Sequence, residues 1–128
     1  MLRLVVQMLS TKRVYDTPDP GDGFRVLVDR LWPRGISKEK AHVDEWLREA
    51  GPSNELRKWF HQSPDRWEEF KERYWEELAG KKELFDKIVS KSRRERVTLL
   101  YSYHDPVHNQ ATVIKEFLEG NGQRKRAA

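Results

Sequence analysis

Asp29, Arg30, Trp32 and Arg34 fall within six consecutive positions, in the run Asp29-Arg30-Leu31-Trp32-Pro33-Arg34-Gly35. Two guanidiniums, a carboxylate and an indole at that spacing suit the binding of an anion. The planar fork of arginine presents fixed donors that meet phosphate or carboxylate oxygens in pairs. Trp32 offers a flat apolar face for a base or a sugar ring. Asp29 could transfer a proton if chemistry occurs. The competing reading is an internal Asp29–arginine pair that locks a strand end, with Trp32 in the core.

A second run with chemical potential is Tyr101-Ser102-Tyr103-His104-Asp105-Pro106-Val107-His108-Asn109. Ser102 and Asn109 are candidate ligand contacts, and Tyr101 is either a phenolic donor or core. Asp105-Pro106 reads as a helix start, where free N–H groups favour an anion unless Asp105 itself caps them. His61 sits between two helical stretches and is either a general acid or base or an ordinary linker residue. His104 and His108 are four apart, but the helix start falls between them and no third ligand has matching spacing. No metal site is assigned on that basis. Neither nucleotide-loop fingerprint is present, GxGxxG or GxxxxGK[ST], and the GxSxG elbow is missing too. The chain has no cysteine, which excludes disulfides, thiolate metal sites and cysteine nucleophiles. Nothing in the sequence names a cofactor.

Strands must deliver these two runs to one place. Leu2–Leu9 reads as a buried strand that could continue through Arg13-Val14-Tyr15. The Pro- and Gly-dense stretch Asp16–Gly23 is a loop. Phe24–Val28 is a second strand, stopped by Leu31-Trp32-Pro33. Ile36 to Ser92 is helical in pattern. Ser37 caps a short helix over Lys38–Ala41 that could run on through Trp46 and Leu47. Ser53 caps another, with Leu56, Trp59 and Phe60 on one side. Ser63-Pro64 starts a third, whose stripe is Trp67, Phe70, Tyr74 and Leu78. Leu84 with Ile88 and Phe85 with Val89 mark a fourth. Val97–Tyr103 is a third strand, apolar on both faces and so covered on both sides. A last helix carries Ala111, Ile114, Phe117 and Leu118. A helical crossover between the second and third strands predicts that they are parallel. The expectation is a small three-layer α/β domain, with a mostly parallel sheet of about three strands covered by helices. In such sheets ligands bind beyond the carboxyl ends of the strands, where both runs fall.

Length and composition bound the rest. The 128 residues make one domain, read as 1–119 with a flexible basic tail at 120–128. Lys and Arg number 25 against 21 Asp and Glu, so the net charge is +4. With 11% aromatic residues, wholesale disorder is not expected. No apolar run approaches the ~18 residues of a membrane span. A soluble, cytoplasmic protein without a membrane partner is expected. Abundant Arg, Glu and Lys without Cys also fits a thermophile. Trp46, Trp59, Trp67 and Trp75 recur among charges, either as stacking platforms for single-stranded nucleic acid or as fillers of core and helix seams. Lys81, Lys82, Lys87, Lys91, Arg93, Arg94 and Arg96 form a basic cluster, offset in part by Glu83, Asp86 and Glu95.

The run Arg25–Gly35 resembles the short, YeaO-like members of domain-of-unknown-function family 488. Further matches are Lys12–Asp16, Asp22-Gly23-Phe24, Pro52-Ser53 with Glu55–His61, Trp67 through Phe70 and Tyr74 to Leu78, and Thr98–Ser102 with Asn109 and Ala111. The resemblance covers about Val6 to Leu118. It implies a small α/β domain with no settled activity. Some members carry a transcriptional-regulator label, which no winged helix-turn-helix pattern supports here. Longer relatives have a Cys-His-Arg motif where this chain reads His108-Asn109-Gln110, so no thiol role transfers. The resemblance marks Asp29, Arg30, Trp32, Arg34, His61, Ser102 and Asn109 as signature positions and gives none of them a role.

Three functions follow as expectations. The first is a small anionic ligand, phosphate- or nucleotide-like, at the strand ends. Arg30 and Arg34 would hold the charge, Trp32 would stack, and Ser102 and Asn109 would orient. Asp29 or His61 would move protons if there is turnover. The second is a basic nucleic-acid-binding module. The third is a protein-interaction domain with an exposed aromatic patch.

Overall fold

A computed structural model describes residues 8–120. The expected strand residues Leu2–Gln7 lie outside the described residues, as does the tail from 121 onward. Four strands form one sheet: β1 (Leu9–Arg13), β2 (Phe24–Leu27), β3 (Glu45–Trp46) and β4 (Val97–Tyr101). Their order is β1-β4-β2-β3, and every pairing is parallel. The parallel pairing of the second and third expected strands holds, as β2 with β4. All five residues of β4 are buried, as a central strand covered on both faces requires.

Side-chain alternation along the strands divides the core in two. Val26, Val28, Val97, Leu99 and Tyr101 face one layer, built from α2 (Asn54–Gln62), α3 (Trp67–Ala79), α4 (Asp86–Ser92) and α5 (Gln110–Glu119). Leu27 and Leu100 face the other way, onto Val14, Ala41, Trp32, Ile36 and Trp46. That second, thinner layer holds α1 (Lys38–Ala41). Tyr74 of α3 ties the thick layer to the turn Arg48–Ala50, donating to the Ala50 carbonyl at 2.5 Å.

Four expectations need correction. The sheet has four strands rather than about three, because Glu45–Trp46 pairs with β2 instead of extending α1. α1 stops where His42 turns left-handed, at φ 50°. The backbone of Arg25 and Leu27 otherwise has unpaired groups, and Asp44 and Leu47 satisfy them. Ser63 does not start α3. Its N–H closes α2 on Trp59 and Phe60, a turn follows, and α3 begins at Trp67. Asp105 does not cap α5. Asn109 does, its side chain accepting from Thr112 N. The third expected strand ends at Tyr101, two residues early, where Arg13 takes the carbonyls of Ser102 and Tyr103.

Asp22 sits at the other end of the sheet, against Arg25 at 2.5 Å and Lys12 at 3.0 Å. Burial pushes its carboxyl up, but hydrogen bonds from Lys12, Asp19 N and Arg25 outweigh that and hold it below the usual aspartate range. Gly23, next to it, has φ 68°, and a Cβ there would lie 2.1 Å from the Arg96 carbonyl oxygen. Backbone cannot yield to that contact. Gly23→Ala is expected to lower stability by at least ~2 kcal/mol, read from the urea midpoint. A loss within ~0.5 kcal/mol would show that the β2–β4 entry tolerates a side chain.

Candidate functional site

The register of β2 with β4 brings their ends together. Leu27 faces Leu100, and Val28 N donates to the Leu100 carbonyl at 3.0 Å. Just beyond, Ser102 Oγ donates to Asp29 Oδ2 at 2.5 Å. Gln110, from the first turn of α5, donates its amide to Asp29 Oδ1. Asp29 is buried, at 8% exposure, and forms no ion pair among the described residues. Burial pushes its carboxyl up, and the bonds from Ser102 and Gln110 only partly oppose that. The internal Asp29–arginine lock is therefore not what this strand end contains.

The loop after β2 is held by backbone carbonyls. Arg30 donates Nε to Pro52 O at 3.0 Å and Nη2 to Gly51 O at 2.9 Å. Lys81 reaches the same Gly51 oxygen at 3.3 Å. Burial, then the Arg30 charge, push the Lys81 ammonium below its usual range. Trp32 donates its indole N–H to Ile36 O at 2.8 Å and meets the Trp46 ring edge-on at 5.3 Å. Trp46 in turn donates to Asp29 O at 2.7 Å. Tyr15 Oη donates to Arg34 O at 2.6 Å, while the Arg34 side chain is exposed and makes no hydrogen bond among the described residues.

A cavity of about 300 Å³ opens at these strand ends. Its lining includes all of Asp29, Arg30, Trp32, Arg34, His61, Ser102 and Asn109. The sheet brings together residues that the sequence scatters over 81 positions. Phe60, Trp67, Phe70 and Tyr103 supply an aromatic wall. Trp67 packs on Phe70 at 5.5 Å, and His61 stacks on Tyr103 at 6.4 Å. Asn109 is buried and already engaged, accepting from Thr112 N and donating to Asp105 O, each at 2.9 Å. Tyr101 lies in the core at 3% exposure. No hydrogen bond joins Asp29 to His61, and none joins Ser102 to a histidine, among the described residues. The carboxylate and the imidazole are thus not a preassembled proton relay.

Beyond the aromatic wall, the sequence reading also left out Arg57 and Gln110. Arg57 stands four residues before His61 on α2, so the two share a helix face, a spacing the sequence already contained. Gln110 follows Asn109 directly, and only the true start of α5 aims it at Asp29.

His108 is held outside α5. Its Nδ1 lies 3.0 Å from Asp105, and its ring meets Trp67 edge-on at 4.9 Å. Backbone N–H groups of His108 and Val107, then the His108 ring, hold the Asp105 carboxyl down to about 2. His104 leans on Tyr103 instead. Among the described residues no group of three His, Cys, Asp or Glu could hold a metal. No helix among them is long and apolar enough to cross a membrane.

Several tryptophans pack within the fold, and some members of the basic cluster have partners of their own. Trp75 is buried against Phe117, and Trp59 lies beneath Arg66 and Arg73. Lys87 pairs with Glu45, Lys91 with Glu95, and Arg96 bonds Ser10.

The raised Asp29 carboxyl has a signed consequence. Between the unfolded value near 3.8 and the raised folded value, the folded chain binds more protons than the unfolded chain. Stability from this group is therefore greatest at low pH and falls as pH rises through that window. Asp29→Asn removes the loss. The variant should gain on the wild type in melting temperature as pH rises from about 4 to about 7. A difference that stays flat, or turns against the variant, would mean that Asp29 is stabilised as an anion.

The sequence profile described as the inactive DUF488-N3 subclade, DUF488-N3i, matches residues 8–128. Uncharacterized protein YeaO of Escherichia coli (strain K12) is 42% identical over 110 residues, 86% of this chain and 96% of the relative. Uncharacterized protein Mb3100c of Mycobacterium bovis is 41% identical over 108 residues, 84% of this chain and 91% of the relative. Rv3073c of Mycobacterium tuberculosis, also named as uncharacterized, is 41% identical over the same shares. No solved structure matches the chain significantly. A profile and relatives that span nearly the whole fold leave one conclusion: the chain belongs to domain-of-unknown-function family 488.

Proposed function

We propose that the cavity at the ends of β2 and β4 binds a small phosphate- or nucleotide-like anion that carries a flat ring. The observation that supports this most is that seven separated polar and aromatic positions line one opening. Arg30, Arg34 and Arg57 bring three positive charges to it, against the single carboxylate of Asp29. A phosphate or carboxylate is the complement of that surplus. Phe60, Trp67 and Tyr103 suit a planar ring, because aromatic faces and edges stack at these separations. The volume is at the small end of ligand pockets, which run from roughly 300 to 1,000 Å³.

Binding without turnover is the form of this reading we adopt. The family profile is described as inactive. Ser102 faces a carboxylate rather than an imidazole, so it lacks the base that makes a serine a nucleophile. Asp29 then acts as an acceptor on the cavity floor and His61 as part of the wall.

A thermal-shift series at fixed ionic strength tests the proposal. The probes are adenosine 5′-monophosphate, ribose 5-phosphate, inorganic phosphate, benzoate and a short single-stranded oligonucleotide. A probe at ~100 times its dissociation constant should stabilise by about 2.7 kcal/mol, a shift of several degrees. The shift should shrink in Arg34→Ala, whose exposed side chain contributes little to folding. A response to the oligonucleotide alone, lost with added salt, would replace the pocket with a basic nucleic-acid surface. No response to any probe would sink the ligand reading and leave protein partners to be sought.

A further inference from the structure

We infer that Arg57 is the anion anchor of this cavity and that the group it takes is a phosphate monoester. Its role depends on the cavity being a ligand site and adds which side chain reads the charge. The arginines around the opening differ in how firmly they are already held. Arg30 gives two short bonds to the buried carbonyls of Gly51 and Pro52. It is a brace between the loop after β2 and the start of α2. Arg57 has one bond, from Nη2 to the exposed Asn54 Oδ1, at 3.3 Å. Its Nε is shut off from solvent and has no acceptor. Arg57 also forms no ion pair among the described residues, whereas Arg66, just before α3, and Arg73 on it both pair with Glu69.

A buried N–H without an acceptor is uncommon in folded proteins and points to a missing partner. Arg57 lines the cavity, one helical turn before His61 on the same face of α2. Rotation of its side chain breaks only the long bond to Asn54. An anion in the cavity would give the guanidinium what it lacks, a charged acceptor that takes two N–H groups at once. The charge balance selects the anion. Arg30, Arg34 and Arg57 against Asp29 leave a surplus of two positive charges at the opening. A phosphate monoester carries close to two negative charges at neutral pH, whereas a carboxylate carries one. Arg34, held at the rim by its backbone, would close on the same group from outside.

Titration calorimetry on the full chain tests this with adenosine 5′-monophosphate, ribose 5-phosphate, inorganic phosphate and uncharged adenosine. The variants are Arg57→Gln, Arg57→Lys and, as a control at the opposite end of the sheet, before β4, the exposed Arg94→Gln. The wild type should bind the monophosphate more tightly than adenosine. Arg57→Gln should lose about 10- to 100-fold for the monophosphate, with adenosine unchanged, as expected for lost charge-assisted bonds. Arg57→Lys should recover part of the loss, because it keeps the charge but not the fork. Arg94→Gln should match the wild type. Urea midpoints of the Arg57 variants should equal or exceed the wild-type value, since each removes the orphaned N–H. If Arg57→Gln binds the monophosphate as well as the wild type, Arg57 is not the anchor while the cavity reading stands. If it weakens adenosine and the monophosphate equally, Arg57 is a structural residue and the inference fails. If the wild type binds none of the phosphate probes, both readings fall together.

Discussion

The register between β2 and β4 is the constraint from which the rest of this structure follows. Parallel pairing from Phe24 opposite Val97 to Leu27 opposite Leu100 forces the two chains to leave the sheet side by side. A slip of one residue would turn Leu99 and Leu100 to the wrong faces and exchange the two cores. It would also part Asp29 from Ser102, which are 73 residues apart in sequence. The glycine at position 23 sets the start of that register, because only a residue without Cβ can pass the Arg96 carbonyl.

Around the cavity, rigidity comes from backbone acceptors rather than ion pairs. Arg30, Trp32, Trp46 and Tyr15 each donate to a carbonyl of a neighbouring loop. Such bonds satisfy carbonyls that leave the sheet or end a helix with no ladder partner. Their effect is a loop whose main chain is fixed while chosen side chains, Arg34 among them, stay uncommitted. The same division separates the arginines: one braces, one waits at the rim, and one lies in the wall with an unanswered donor.

The buried carboxylate of Asp29 gives the floor a different character from the walls. It accepts from neutral donors, Ser102 and Gln110, and forms no ion pair among the described residues. Desolvation then outweighs hydrogen bonding, and the group is more easily protonated than an ordinary aspartate. The lining thus pairs a neutralisable carboxyl with guanidiniums of three arginines.

Much of this was legible in the residues alone. The stripes Trp67–Phe70–Tyr74–Leu78 and Ala111–Ile114–Phe117 encode helix faces, and Val97–Tyr101, with apolar residues on both faces, encodes a central strand. The caps at Ser37 and Ser53 are local chemistry and stand where the sequence places them. The strand-end rule, applied to the two polar runs, singled out six positions that line one cavity, and His61, chosen on other grounds, lines it too. The rest needed the folded chain. Glu45–Trp46 is a strand only because β2 has an open edge beside it. The choice of Asn109 over Asp105 as cap depends on which carbonyl and amide are near once α5 has docked. Above all, whether an arginine is a brace or a free donor is invisible in its letter. That is decided by the carbonyls that tertiary packing brings within reach, as Gly51 and Pro52 are for Arg30, and by their absence around Arg57 Nε. Periodicity and caps act over a few residues, whereas hydrogen-bond satisfaction of a long side chain is settled by groups from anywhere in the chain.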